Sequence, residues 1–385
     1  MEQERKVEIL QEVIRIQSVN GNEEEVAKYF QELLKEYDID SELIPWEEEG
    51  RSSLVATLKK GEGKVLGVSG HMDVVAAGDE SQWKYPPFDA HIEDNKLYGR
   101  GSTDMKAGTT ALVLTMIEMK EEEIPFEGTL KLLLTVGEEV GQHGAKQLTE
   151  MGYADDLDAL LIAEPTNFNI GYIHKGSMDY TVVSHGKASH SSMPEEGINA
   201  ITQINAFITA INKEMGQISN TYENEVLGKF IHNITLMSGG TQIKSIPEKA
   251  EVQGNIRTIP EFSNDETIAL LEEVIGNINQ EIEGELELII DNNKYPVTSD
   301  PDAEIVQKIQ ELMDEPIPLI GLSATTDAAE FTQSENHFDV VIFGPGIPTL
   351  PHQLNEYVEV DNYLEFIDVY KQLFPAYLNG GTGEK

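Results

Sequence analysis

The sequence predicts an α/β protein: a mostly parallel sheet in a catalytic domain, covered by helices on both faces and interrupted by an inserted ferredoxin-like α+β domain. Three observations predict it. Strand-like apolar runs alternate with helical stripes as far as Glu164, and most of those runs end at a turn carrying His, Asp or Glu. From about Lys175 the order changes to βαββαβ, and helix and strand patterns of the first kind resume after it.

In the first segment, Val7, Leu10, Val13 and Ile14 form a helical stripe. A second helix follows Asn20-Gly21, with Asn22 as its expected cap, Glu25 in the capping-box position, and Val26, Tyr29, Phe30, Leu33, Leu34 and Tyr37 at helical spacing. Ser53 to Leu58 and Val65 to Ser69 read as strands, the second running into Gly70-His71, and His91 to Tyr98 reads as a hairpin turning at Asp94-Asn95. Ala107 to Met119 is an expected helix. Thr129 to Val136 is a buried strand ahead of Gly137-Glu138-Glu139, and Ala159 to Ala163 another ahead of Glu164. In open sheets of this kind ligands collect beyond the carboxyl ends of the strands, where His71, Glu138, Glu139 and Glu164 fall.

The insert comprises a strand at Met178 to Gly186, a helix at Gly197 to Lys213, strands at Asn233 to Ser238 and Ala250 to Ile259, a helix at Asn264 to Glu281, and a strand at Leu286 to Asp291. The expected domains are therefore 1–174 and 291–385 for the two parts of the catalytic domain and 175–290 for the insert. A helix at Asp302 to Met313 and a strand at Val340 to Phe343 belong to the second part, and the tail from Asn379 is expected to fray.

Composition excludes several functions. The 385 residues are 39% hydrophobic, enough for a substantial core. With 27 basic against 69 acidic residues the formal charge is -42, which repels phosphate backbones and anionic lipid, so no nucleic-acid or membrane partner is expected. Apolar runs all stop well short of the ~18 residues of a membrane span. The charged start leads into an amphipathic helix rather than a signal peptide, and with no cysteine there is neither a disulfide framework nor a thiolate metal site. The expected compartment is the cytoplasm.

His71, Asp104, Glu139, Glu164 and His352 are the expected metal ligands. Asp104 stands in Gly99-Arg100-Gly101-Ser102-Thr103-Asp104, a glycine-rich turn before an apolar helix, so its carboxylate projects from a tight bend. One divalent ion among three carboxylates leaves a negative site; two ions carry four positive charges, which three carboxylates and a bridging hydroxide balance. The count favours a pair with Asp104 between them. Imidazole and carboxylate ligands without thiolate suit zinc, with cobalt or manganese as alternatives. Such a pair generates hydroxide near neutral pH while polarising a carbonyl. Successive residues of an extended segment point to opposite sides, so Glu139 is assigned to metal and Glu138 to proton transfer. Asp73, two residues after His71, is placed to orient the imidazole.

His71-Met72-Asp73-Val74-Val75, the block from Tyr98 to Lys106, Gly137-Glu138-Glu139, Glu164-Pro165-Thr166 and His352-Gln353-Leu354-Asn355-Glu356 resemble the signature blocks of a zinc-dependent family of deacylases and peptidases. That family includes succinyl-diaminopimelate desuccinylase, acetylornithine deacetylase, aminoacylase and glutamate carboxypeptidase. The resemblance spans nearly the whole chain. It implies a catalytic domain with a lid and dimerisation insert, hence a homodimer. It further implies His71 with Glu164 on one zinc, Glu139 with His352 on the other, Asp104 between them and Glu138 as base.

Within the insert, the block Gly186 to Pro194 followed by Gly197-Ile198-Asn199-Ala200 is similar to one whose histidine, in dimeric members, reaches the partner's active site and stabilises the oxyanion, which marks His190. Arg257 is the expected anchor for a substrate carboxylate, since its planar fork matches two oxygens. The resemblance adds Asn233, Gly239, Gly240 and Thr325 as donors. Two departures from the desuccinylase pattern bear on substrate recognition: Ser323-Ala324-Thr325-Thr326-Asp327 replaces an expected glycine pair, and Lys175 stands where an arginine often does.

The expected activity is a two-zinc amidohydrolase of amino-acid biosynthesis that removes a succinyl or acetyl group from an N-acyl amino acid. The alternatives are a dipeptidase or carboxypeptidase on the same scaffold, and a catalytically silent binding protein that kept the fold.

Overall fold

The computed structural model describes residues 1–380, and the chain divides into two compact units. The first takes Met1–Tyr172, Ser299–Ile320 and the chain from Thr326; the second takes Ile173–Thr298 and Gly321–Thr325. The sequence places the insert at 175–290; the second unit runs from Ile173 to Thr298 and includes the short piece 321–325, which is tied to Lys175: the Lys175 N–H donates to Leu322 O, and Thr325 Oγ1 donates to Lys175 O at 3.1 Å.

The main strands, in chain order, are β1 (Ser41–Pro45), β2 (Ser52–Lys60), β3 (Val65–His71), β4 (Gly128–Thr135) and β5 (Ala159–Ile162) in the first unit. The second unit supplies β6 (Ser177–His185), β7 (Ile231–Gly239), β8 (Lys249–Arg257) and β9 (Glu285–Lys294), and the chain then returns to the first for β10 (Asp339–Ile342).

In the first unit the sheet order is β1-β2-β4-β3-β5-β10. Its centre, β4-β3-β5-β10, is parallel, as expected for an α/β sheet, and β1 and β2 add an antiparallel flank. β4 is buried along its whole length, which its apolar run Leu130, Leu132, Leu133 and Leu134 demands. The register pairs His71 with Thr135 and Ser69 with Ile162, so the strands that carry ligands end level with one another.

Helix Ala107–Glu121 is apolar on every face and buried from Ala107 to Met119. It lies against β3 and β4 and against helix Val360–Leu378. Gly108 permits that approach: a Cβ there would stand 2.1 Å from Ala163 O, just beyond the end of β5. The sequence reading assigns no element to 360–378, although Tyr363, Phe366, Ile367, Tyr370, Leu373 and Phe374 are buried at helical spacing along it. It also omits β1, a partly exposed edge strand ending in proline, and helix His143–Glu150, which has no side-chain cap.

Two expectations need correction. Asn22 precedes helix Glu23–Glu36, but it adopts a left-handed conformation, φ 63°, and makes no side-chain cap. Glu25 therefore completes no capping box. The expected fraying does not apply to Asn379, whose amide donates to Pro125 O and whose Oδ1 accepts from Glu127 N; Gly381 onward lies outside the described residues.

The second unit is the ferredoxin-like arrangement: order β7-β8-β6-β9, antiparallel throughout, with helices Ala200–Thr221 and Asn264–Glu281. Helix Asn264–Glu281 opens with a capping box made by Ser263 and Glu266. The other helix begins at Ala200 rather than Gly197, because Asn199 Oδ1 caps it by accepting from Ile201 N and Thr202 N. It ends at Thr221 rather than Lys213. Among the described residues no helix is long and apolar enough to cross a membrane.

Candidate metal centre

The first unit brings its ligand candidates together at the carboxyl end of the parallel strands. His71 is the last residue of β3 and is buried. Its Nδ1 faces the main-chain oxygen of Asp73 at 3.0 Å, which fixes the tautomer and leaves Nε2 for the cluster. Nε2 lies 3.0 Å from Asp104 Oδ1 and 3.5 Å from Glu164 Oε1. On the other side His352 Nε2 lies 3.0 Å from Glu139 Oε1 and 3.4 Å from Asp104 Oδ2. Asp104 thus turns one oxygen toward each histidine.

These separations fit shared cations. Two ligand atoms about 2.1 Å from one ion at a tetrahedral angle stand roughly 3.4 Å apart. One ligand atom from each of His71, Asp104 and Glu139 lies within 4.8 Å of the others. The donor set is imidazole nitrogen and carboxylate oxygen, as divalent zinc, cobalt or manganese requires.

Electrostatics point the same way. Burial, together with the charges of Asp327 and Glu164, holds Glu138 well above the usual carboxylate range. Burial and the charge of Asp104 do the same to Glu164. His71 is raised well above an ordinary imidazole, since hydrogen bonds to Asp104 and Asp73 outweigh its burial. Asp104 and Glu139 raise His352 to about 10. The acids in this cluster call for positive charge, and the two imidazoles supply part of it.

Asp73 has a broader part than orienting one ring. Its Oδ1 accepts from Glu138 N and its Oδ2 from Glu139 N, each at 3.1 Å, so it clamps the turn that presents both glutamates. That segment is a turn and not an extended strand: the N–H groups of Gly141 and Gln142 both donate to Glu138 O. The two side chains still part, by turn geometry rather than strand alternation. Glu139 meets His352, whereas Glu138, half-buried, accepts from Gln142 Nε2 at 3.3 Å.

Asp327 is a site acid that sequence reasoning passed over. It is buried, its Oδ2 accepts from Thr135 Oγ1 at 2.5 Å, and its charge is felt by Glu138 and Glu164. The signal available was an acid directly before an apolar Ala328-Ala329 step.

The remaining candidates belong to the second unit. His190 is exposed; its Nδ1 accepts from Ser192 N at 3.2 Å, which leaves Nε2 as the donor nitrogen. Since Asn199 caps the following helix, His190 does not. Arg257 Nη1 is 3.5 Å from Thr325 Oγ1, and among the described residues no ion pair is formed by Arg257. Lys175 is buried, with Nζ donating to Lys229 O at 2.6 Å. Arg257, Thr325 and Lys175 therefore form one group. Arg257 pairs with Ile231 in the register and Gly239 with Ala250, so Asn233 lies near the Arg257 end of the sheet and Gly239-Gly240 at the other, roughly 20 Å along the strand.

The chain is similar to known proteins along most of its length. The sequence profile of peptidase family M20/M25/M40 matches residues 67–375. A protein of Staphylococcus epidermidis named probable succinyl-diaminopimelate desuccinylase is 38% identical, with 98% of this chain and 99% of the relative covered. Among solved structures, an M20 family metallo-carboxypeptidase from Sulfolobus solfataricus superposes with a TM-score of 0.80 at 18% identity, covering 97% of this chain and 99% of that one. A dinuclear metal-binding M20 peptidase of Bacillus subtilis superposes with a TM-score of 0.73 at 16% identity, covering 98% of each chain.

Proposed function

The chain belongs to peptidase family M20/M25/M40, a family of hydrolases acting on amide bonds, and from that footing we propose that it is a two-zinc deacylase of N-acyl amino acids, with N-succinyl substrates first. The observation that carries the proposal is Asp104, one oxygen toward the His71–Glu164 side and the other toward the His352–Glu139 side. Those five residues would hold the ions. Bound there, two cations would acidify a water molecule and polarise the amide carbonyl.

The protein's own groups do the rest. Glu138, half-buried and outside the ligand contacts, takes a proton from the attacking water as its oxygen bonds to the carbonyl carbon. It returns that proton to the amide nitrogen as the C–N bond breaks, giving a carboxylate and a free amine. His190, with Nε2 as donor, is the proposed oxyanion partner, supplied by a second copy in a homodimer. Arg257, with Thr325, Lys175 and Asn233, is proposed for substrate recognition, and Gly239 and Gly240 for a separate substrate contact at the other end of the strand; a guanidinium with no acid partner in its own unit suits a substrate carboxylate. For the dimer, the edge strand β7 offers Leu236, 62% exposed, and Met237, 65% exposed. The charged, cysteine-free sequence supports the cytoplasm as the compartment.

A second reading, a peptidase on the same scaffold, draws on the fold shared with the Sulfolobus metallo-carboxypeptidase. A panel of N-succinyl and N-acetyl amino acids against unblocked dipeptides separates the two. Hydrolysis confined to the acylated compounds supports the deacylase; preference for free amino termini overturns it.

A further inference from the structure

Glu356, four residues after His352, is fully buried, and its carboxylate gathers four donors. Oε1 accepts from Thr103 N at 2.8 Å and Asp104 N at 3.0 Å; Oε2 accepts from Arg100 Nη1 at 2.6 Å and Gly101 N at 3.2 Å. Its main-chain oxygen also accepts from Gly99 N at 3.0 Å. The turn that presents Asp104 is therefore folded around a carboxylate delivered by the segment that presents His352. Gly101, at φ 84°, gives this turn a backbone shape that puts several N–H groups on one side.

Arg100 completes the link. It is 2% exposed, its guanidinium lies 5.2 Å from the Trp83 ring, and Nη2 donates to His352 O at 3.3 Å. The Arg100–Glu356 pair thus touches the main chain of one ligand, Asp104, and of another, His352, without touching either ligand side chain. A buried ion pair is weak evidence for stability, because apolar residues of similar volume often serve as well. What this pair supplies is direction: it fixes two backbone segments that are distant in sequence against each other.

Resting on the two-ion reading above, we propose that Glu356 and Arg100 are positioning residues for the metal centre, setting the Asp104 carboxylate and the His352 imidazole at the separation a pair of cations requires. Neither contacts substrate or metal. Their removal loosens cation binding rather than proton transfer.

The test is cobalt titration of metal-stripped protein, followed by calorimetry and by the visible spectrum of the bound ion, for the parent, Glu356→Gln and Arg100→Lys. Both variants are expected to bind cobalt about 10- to 100-fold more weakly and to show an altered spectrum; the metal-stripped Arg100→Lys, which keeps a cation beside Glu356, should melt close to the parent, and Glu356→Gln, which strands a buried guanidinium, should melt lower. Parent-like affinity and spectrum in the variants overturn the inference while leaving the metal reading intact. A parent that binds no cobalt overturns both. Should Glu356→Gln fail to fold, Arg100→Lys, which keeps the positive charge, decides alone.

Discussion

Asp104 Oδ1 stands 3.0 Å from His71 Nε2 while the other oxygen of the same carboxylate faces a different histidine. A carboxylate that serves one ion does not need this divided arrangement. Replacing Asp104 by Asn removes the negative charge with little change of shape. Metal analysis of Asp104→Asn should find fewer than two ions per chain, and amide hydrolysis should fall by at least about a hundredfold.

Glu138→Gln separates proton transfer from metal binding. Since Glu138 stands outside the contacts among the ligands, metal content should stay near the parent's while kcat drops by roughly 10²- to 10⁴-fold. Turnover equal to the parent's would remove Glu138 from the role of base.

Asp73 clamps the main chain of both glutamates through its two oxygens. In Asp73→Asn one oxygen becomes an NH2 group that faces an N–H and cannot accept from it. Metal affinity measured by competition with a chromophoric chelator should weaken about 10- to 100-fold. An unchanged affinity would mean that the turn holds itself.

Much of this was legible in the sequence, and the limits are physical. His71, Glu138, Glu139 and Glu164 each follow an apolar run into a turn, a local signal that survives without any tertiary information. Glu356 carries no such signal: its role depends on meeting Arg100 and the N–H groups of 101, 103 and 104, a contact between segments about 250 residues apart. Asp327 was hidden in the same way, since its partner Thr135 sits at the end of β4. Asn22 shows the opposite error. Its residue type fits a cap, but its left-handed backbone turns the side chain away, toward Gln17 O. Helix Val360–Leu378 has apolar residues at helical spacing but starts without a side-chain cap and carries Pro375 in its last turn, so the local boundary signals are weak.

The buried pair Arg51–Glu23 offers a stability test beside the turn that presents Glu138, since a Cβ on Gly137 would stand 2.6 Å from Arg51 Nη2. Arg51 Nη2 donates to Glu23 Oε1 at 2.6 Å, and both residues are buried. Arg51→Met strands the Glu23 carboxylate and should cost about 3–5 kcal/mol in urea unfolding. A loss below about 1 kcal/mol would show that Glu23 finds another partner or water.

His174, buried in the second unit, has its imidazole lowered to about 4 by that burial. An unfolded histidine titrates near 6.5, so between these values the unfolded chain binds the extra proton, and stability falls as pH falls. This group contributes fully above about pH 6.5; of its share, about 2 kcal/mol is lost by pH 5. Urea unfolding at pH 7 and pH 5 should therefore show a smaller decline in His174→Asn than in the parent. Equal declines would contradict the assignment.

The most direct measurement is zinc back-titration of chelator-stripped protein, with bound metal and hydrolysis of an N-acyl amino acid recorded together. The two-ion account predicts that stripping abolishes hydrolysis, that binding saturates at two ions per chain, and that activity returns with them. Full activity in the stripped, metal-free protein would contradict it.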